Sequence, residues 1–138
     1  MKKILMILSS TEFRDIEYIT PKAFFEQAGF SVKTASTSEI SIGRFGYKNN
    51  NDFLIHEVIH QDFDGIYFVG GKGSLEYLNN ETVKKIFLDF NDAKKPIAAI
   101  CAAPRNLLHW GLMKNKKVTG NNWDGDFDNL CKKAEASS

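Results

Sequence analysis

Three short apolar runs, each followed by a break and then a helical pattern, constrain the fold of this chain most strongly. The runs span residues 3–8, 65–69 and 97–100. A strand with apolar side chains at successive positions is buried on both faces, which is typical of parallel sheets. Because helical patterns alternate with these strands, the sequence predicts an α/β fold with helices on both faces of a mostly parallel sheet.

The segments between these runs complete the prediction. Helices are expected over residues 15–28, 53–60, 81–93 and 105–113, strands over 30–34 and 117–119, and a short strand or hairpin within 36–51. Pro21 lies inside the first helix and is expected to kink or break it. With 138 residues and neither a repeat nor a linker, the chain is predicted to form a single domain over residues 1–138.

Charge and hydropathy argue against several classes of protein. The net charge is +1 with both signs interspersed, so no nucleic-acid partner is expected. No apolar stretch is long enough to cross a membrane, and the N-terminus does not resemble a secretion signal. Two cysteines, Cys101 and Cys131, do not make a disulfide framework. A reducing, cytoplasmic compartment with free thiols is therefore expected.

The segment HEVIH matches the H-E-x-x-H pattern of zinc peptidases. On the predicted helix its aliphatic residues share one side, so His56 and His60 are expected to face water rather than a cleft. The third histidine of the extended pattern is absent, since Ile66 stands in its place, although Glu76 or Glu81 could supply a carboxylate. We predict a solvated helix face here and no metal site.

Cys101 stands where the third apolar run turns into a helix. Ala102 and Ala103 keep this turn narrow, and Pro104 suits the first turn of a helix. The sulfur is expected to lie near unpaired N-terminal amides of the helix, which favour a thiolate. The alternative is a buried, inert thiol that packs as a small apolar side chain.

Two further features point to the same edge of the sheet. Gly70 and Gly71 end the second apolar run, where close-packed backbone N–H groups could hold a developing oxyanion. Glu17 lies on the first helix, just past the first strand, and could reach this edge because the carboxyl ends of parallel strands lie together. Glu17 could equally be a partner of the helix dipole with no chemical role.

These segments together resemble the ThiJ/PfpI superfamily. The matching pieces are KILMIL, DIE with Pro21, DGIYFVGG, AAICAAP followed by LL, and VTG, so the resemblance runs from the first strand to about Gly120. It implies a flavodoxin-like, doubly wound sheet with helices on both faces.

The resemblance also implies roles for individual residues. Cys101 would be the reactive thiol, hydrogen-bonded by a protonated Glu17. The backbone amides of Gly71 and Ala102, next to Gly70, would line the oxyanion site. Arg44 would correspond to a family arginine near the substrate. No cofactor is implied.

The chain departs from the family pattern in three places, of which one is minor: Val69 stands where many members have Pro before the glycine pair. Peptidase-type members carry His after the cysteine, where this chain has Ala102, and His109 lies about 12 Å farther along a helix. The family also continues with a hairpin and a final helix beyond the point where this sequence ends. Apolar sheet surface would then be exposed, so a homodimer or association with that missing segment is expected.

The sequence therefore predicts a cysteine-dependent enzyme of the glyoxalase or deglycase kind, acting on small reactive carbonyls without a cofactor or metal. Two alternatives use the same thiol. One is a redox-sensing, stress-linked protein in which Cys101 is oxidised without turnover. The other, a PfpI-type peptidase, is disfavoured by Ala102.

Overall fold

A computed structural model describes residues 2–138. Its strands are β1 (Lys3–Ile7), β2 (Thr11–Phe13), β3 (Ser31–Ser36), β4 (Ile40–Gly43), β5 (Lys48–Asn50), β6 (Phe53–Leu54), β7 (Gly65–Phe68) and β8 (Ile97–Ala99). Its α-helices are α1 (Asp15–Gln27), α2 (Glu81–Asp92), α3 (Pro104–His109) and α4 (Phe127–Lys133).

The main sheet has five parallel strands in the order β6-β3-β1-β7-β8. β1 is central, and its side chains alternate between two apolar clusters. Leu5 and Ile7 pack on one face with Phe68, whereas Met6 packs on the other face with Tyr67. Burial on both faces explains the apolar runs of β1 and β7, whereas β8 is an edge strand in which Ala98 is exposed. The parallel strand order confirms the predicted flavodoxin-like sheet.

A second, smaller sheet has the order β2-β4-β5. β4 and β5 pair antiparallel, which confirms the hairpin predicted within residues 36–51, and β2 adds to β4 in parallel. β2 was not predicted, because a three-residue strand carries no recognisable period. β2 follows β1 directly in the chain and pairs with β4, so it brings the hairpin to the carboxyl end of the main sheet.

The helix predicted over residues 53–60 is wrong. This segment forms β6, which pairs with the end of β3, and then two short 3₁₀ turns at Ile55–Glu57 and His60–Asp62. Asp52 does not cap a helix, because its carboxylate accepts a hydrogen bond from the Thr34 N–H at 2.9 Å. That contact ties the segment to β3 in an extended conformation.

α1 runs unbroken through Pro21, although the proline has no N–H to donate to the preceding turn. Its apolar side faces outward: Ile16 and Phe24 are 62% and 68% exposed, while Tyr18 is buried.

The helix predicted to reach residue 113 ends at His109, and residues 117–119 form only an isolated bridge between Lys117 and Ser137. α4 was not predicted.

No helix within residues 2–138 combines the length and apolar character needed to span a bilayer.

Candidate active site

Cys101 lies in a sharp turn between β8 and α3, where the sequence placed it. Its φ is 62°, a left-handed conformation that a residue with a side chain seldom adopts. The turn is closed by the Ala103 N–H, which donates to the Ile100 carbonyl at 3.1 Å. Cys101 is half-buried, and Cys131 is buried on α4. The alternative prediction, an unreactive thiol, required Cys101 to be fully buried, and the half-buried side chain does not fit it.

α3 is shorter than predicted and begins at Pro104. With six residues it aligns fewer peptide dipoles than the predicted helix would, so its N-terminus contributes less to a thiolate. The groups beside the sulfur therefore carry more weight.

Glu17 and Cys101 meet across Gly70. A Cβ atom added to Gly70 would lie 2.6 Å from Glu17 Oε1 and 3.0 Å from Cys101 Cβ, so only glycine leaves room for both side chains. Glu17 Oε1 is buried, and no hydrogen-bond donor within residues 2–138 pairs with it. The carboxyl is thus held at the sulfur with an oxygen free to carry a proton.

The pKa of Glu17 lies above its ordinary value. Burial of the carboxyl raises it, and the positive charge of Arg14 and the neighbouring Cys101 thiol offset part of that rise. A protonated Glu17 can donate to a thiolate, whereas an ionised one would repel it. The geometry therefore suits an acid that shares its proton with the sulfur.

Gly71 begins the loop after β7 with a φ of 101°. An added Cβ would lie 2.5 Å from the Arg14 nitrogen and 2.6 Å from the Glu12 carbonyl, so the loop packs directly on the backbone after β2. The N–H groups of Gly71 and Ala102 donate to no protein acceptor within residues 2–138. Both residues line the same cavity as Cys101, so two unused backbone donors lie beside the thiol.

This cavity has a volume of about 150 Å³. It is lined by Glu12, Arg14, Arg44, Gly71, Lys72, Cys101, Ala102, Asn121 and Trp123. The predicted residue Arg44 is therefore brought to the thiol. No histidine is among these lining residues, and His109 lines a different cavity, against α4.

Five of the lining residues were not predicted as site residues: Glu12, Arg14, Lys72, Asn121 and Trp123. Asn121 is the one that contacts the sulfur. The side-chain amide of Asn121 donates to the Cys101 sulfur at 3.5 Å, and its backbone N–H donates to the Cys101 carbonyl at 2.7 Å. Trp123 forms part of the cavity wall. Their segment, NNWDGD, is polar and aperiodic, so nothing in the sequence connects it to the cysteine.

Arg105 holds this segment in place. Its guanidinium donates to both carboxylate oxygens of Asp124, at 2.9 and 2.8 Å, and to the Asn121 carbonyl at 3.0 Å. The same guanidinium lies 3.8 Å over the Trp123 ring. Hydrogen bonds from Arg105 lower the pKa of Asp124 to about 2, so this pair stays charged at neutral pH.

The HEVIH segment does not have the geometry of a zinc peptidase. That pattern needs a helix to bring both histidines to one face, and the segment is not helical. His56 is exposed, and the His60 ring lies 6.2 Å from the Phe90 ring. Residues 2–138 contain no group of three or more His, Cys, Asp or Glu side chains arranged to hold a metal ion. The expectation of a solvated helix face is wrong because there is no helix.

The sequence model of the DJ-1/PfpI family matches residues 2–136. The chain belongs to the DJ-1/PfpI family. Among curated members, it is 35% identical over 120 residues to a deglycase of Thermococcus kodakarensis, covering 83% of this chain and 70% of the deglycase. It is 32% identical over 123 residues to a putative cysteine protease of Bacillus subtilis, covering 87% of this chain and 72% of that protein.

Solved structures show the same fold in other DJ-1/PfpI members. The crystal structure of a ThiJ/PfpI domain protein from Brachyspira murdochii has a TM-score of 0.89 and 28% identity, and the match covers 98% of this chain and 77% of that one. The chain spans 58% of the length of a curated relative from Methanocaldococcus jannaschii and 74% of one from Archaeoglobus fulgidus.

Proposed function

We propose that Cys101 is the nucleophile of an enzyme that converts small 2-oxoaldehydes, in the manner of a glyoxalase or deglycase. The observation that carries the proposal is the half-buried thiol in a left-handed turn, packed across Gly70 from a half-buried carboxyl whose pKa is raised by burial. The deglycase names of several relatives support this class of substrate.

The reaction needs no external oxidant. The Cys101 thiolate adds to the aldehyde carbon of methylglyoxal, and the aldehyde oxygen takes up a proton to give a hemithioacetal. Removal of the hydrogen on that carbon as a proton, and its return to the neighbouring carbon, oxidises the first carbon to a thioester and reduces the ketone to an alcohol. Water then cleaves the thioester, which releases lactate and restores the thiol.

Each group beside the sulfur has a part in this sequence. Glu17 gives a proton to the aldehyde oxygen and then moves the carbon-bound proton. The N–H groups of Gly71 and Ala102, which have no protein acceptor, stabilise the negative oxygen that forms on addition. The Asn121 amide, 3.5 Å from the sulfur, stabilises the thiolate before attack.

The first experiment follows lactate formed from methylglyoxal by the purified protein. We expect turnover in the wild type and none above background in Cys101→Ser, because a serine hydroxyl lacks the acidity of a thiol. Cys131→Ser, a change to the buried cysteine on α4, is the matched control and should leave turnover intact. Lactate formation that persists in Cys101→Ser would show that another group does the chemistry.

Treatment of the purified protein with mild peroxide tests the alternative, redox-sensing function. If methylglyoxal is not consumed and mass spectrometry finds selective conversion of Cys101 to sulfinate, the thiol acts as a sensor rather than as a catalyst.

We propose a reducing, cytoplasmic setting for the enzyme, since both cysteines are free thiols.

A further inference from the structure

Positively charged side chains outnumber acidic ones in the lining of the cavity that contains Cys101. Arg14, Arg44 and Lys72 all line it together with Cys101, whereas Glu12 is the one acidic side chain in the lining. All four charged residues are exposed, so they form the rim. A neutral substrate such as methylglyoxal has no group that would use three cations.

None of these three cations forms an ion pair within the described part of the chain. The ion pairs within residues 2–138 are Lys22–Glu26, Lys85–Asp89, Arg105–Asp124 and Lys114–Glu135. Arg105 shows the contrast, because its guanidinium is occupied by Asp124 and the Asn121 carbonyl. The rim cations thus keep their hydrogen-bond donors for a group from outside.

The two arginines are held at the rim by their backbones. The Arg14 N–H donates to the Gly70 carbonyl at 3.0 Å, and the Arg44 N–H donates to the Phe13 carbonyl at 2.9 Å. Their guanidinium carbons lie 5.1 and 5.8 Å from the centre of the Phe45 ring. Both guanidinium groups therefore pack on the same exposed ring, and both side chains line the cavity that contains Cys101.

We propose that the substrate is a 2-oxoaldehyde that bears a carboxylate at its far end, and that Arg14 and Arg44 bind this carboxylate. The inference rests on the proposed function. A planar guanidinium binds a carboxylate through two parallel, charge-assisted hydrogen bonds. With the carboxylate at the rim, the aldehyde lies toward Cys101, so the same contact that selects the substrate also orients it.

A substrate of this class is 4,5-dioxopentanoate, and the chemistry is that given for methylglyoxal. The thiolate adds to the aldehyde at carbon 5, which is oxidised to the thioester while the ketone at carbon 4 is reduced. Water cleaves the thioester, and the product is 2-hydroxyglutarate. The carboxylate at carbon 1 takes no part in bond making, so its effect is on binding and orientation alone.

The first test compares kcat/KM for 4,5-dioxopentanoate and methylglyoxal in the wild type, Arg14→Gln and Arg44→Gln. We expect the wild type to prefer the carboxylate substrate, and each variant to lower the ratio of the two values about tenfold, as expected for loss of one charge-assisted contact. Added salt should lower the ratio as well. Lys132→Gln, on α4, is the control and should leave the ratio unchanged. Methylglyoxal turnover with a ratio at or below one, or with a ratio that neither variant lowers, overturns the inference and leaves the proposed function standing.

A second test does not need turnover. Iodoacetate and iodoacetamide alkylate the same thiolate, with loss of iodide, and differ in charge. Mass spectrometry gives the rate at Cys101 for each reagent, and we expect the ratio of iodoacetate to iodoacetamide to fall about tenfold in the Arg14→Gln, Arg44→Gln double variant. If neither aldehyde is converted, the proposed function fails and this ratio alone decides: a fall upholds the anion site, and an unchanged ratio overturns it.

Discussion

At the scale of single residues, the position of the Glu17 carboxyl lowers the stability of the folded protein when that carboxyl is ionised. Its carboxyl is half-buried, and its Oε1 atom is buried without a hydrogen-bond donor among residues 2–138. Burial raises the pKa of this carboxyl above the ordinary value of 4.5. Folding therefore favours the protonated form. The stability that this proton gives is fully present below pH 4.5 and is lost as the pH rises through the raised pKa.

The variant Glu17→Gln separates the effect of Glu17 on stability from its proposed role in proton transfer. The amide is neutral at every pH, so we expect the variant to be more stable than the wild type at neutral pH and the difference to vanish below pH 4.5. Denaturant unfolding across this pH range measures the effect. Turnover of methylglyoxal should fall about 10²- to 10⁴-fold, because the amide cannot exchange a proton.

Glu26→Gln is the matched control on the same helix. Glu26 is exposed and pairs with Lys22, so its replacement should alter stability little at any pH. A Glu17→Gln variant that is less stable than the wild type at neutral pH would mean that the carboxyl is ionised and paired in the folded protein.

At the scale of elements, one carboxylate fixes the turn between β4 and β5. Asp15 accepts the N–H groups of Phe45 at 2.9 Å and Tyr47 at 2.8 Å. Burial raises the pKa of Asp15, but these hydrogen bonds and the charge of Arg14 bring it below the ordinary value of 3.8. The start of α1 thereby holds the hairpin that carries Arg44.

Asp15→Asn should destabilise the fold by about 1–3 kcal/mol, since the amide is uncharged and one of its two polar ends cannot accept a hydrogen bond. The wild-type advantage is present above pH 3.8 and is lost as the pH falls through the lowered pKa. Urea unfolding at neutral and acidic pH measures it. Asp89→Asn, which removes an exposed pair with Lys85, is the control. Equal stability of the two variants at neutral pH would contradict this role for Asp15.

The elements that sequence patterns predicted are those with a repeating environment. β1 and β7 were found because burial on both faces leaves an apolar run, β8 because its side chains are apolar although Ala98 is exposed, and α2 because one face packs on the sheet. The segment after Asp52 was missed because its partner, Thr34, lies 18 residues away. Likewise, the structure brings Cys101, Glu17 and Gly71, which follow strand ends, to one place. Asn121 reaches the thiol through Arg105, a link that leaves no pattern in the sequence.

At the scale of the whole molecule, the outer face of α1 is unusual. Ile16, Ile19, Ala23 and Phe24 share it and are all exposed. A contiguous apolar surface of this kind marks an interaction site. The net charge of +1 gives little self-repulsion, so we propose that this face binds a second copy of the chain.

Light scattering across a dilution series tests this association. We expect a dimer in the wild type and a monomer in Phe24→Glu, because the new charge would be buried at the contact. Ile59→Glu changes an exposed apolar residue elsewhere and should remain dimeric. A wild type that is monomeric at every concentration would refute the proposal.

The close backbone packing around Gly70 and Gly71 divides the site between two kinds of structure. In the proposed reaction, the shape of the reacting centre is set by main-chain packing that leaves no room for a Cβ at either glycine, and we propose that exposed side chains at the rim select the substrate. We therefore expect point substitutions at the rim to change which aldehyde the protein accepts while the reacting centre keeps its shape. This makes the scaffold a starting point for enzymes that act on other aldehydes.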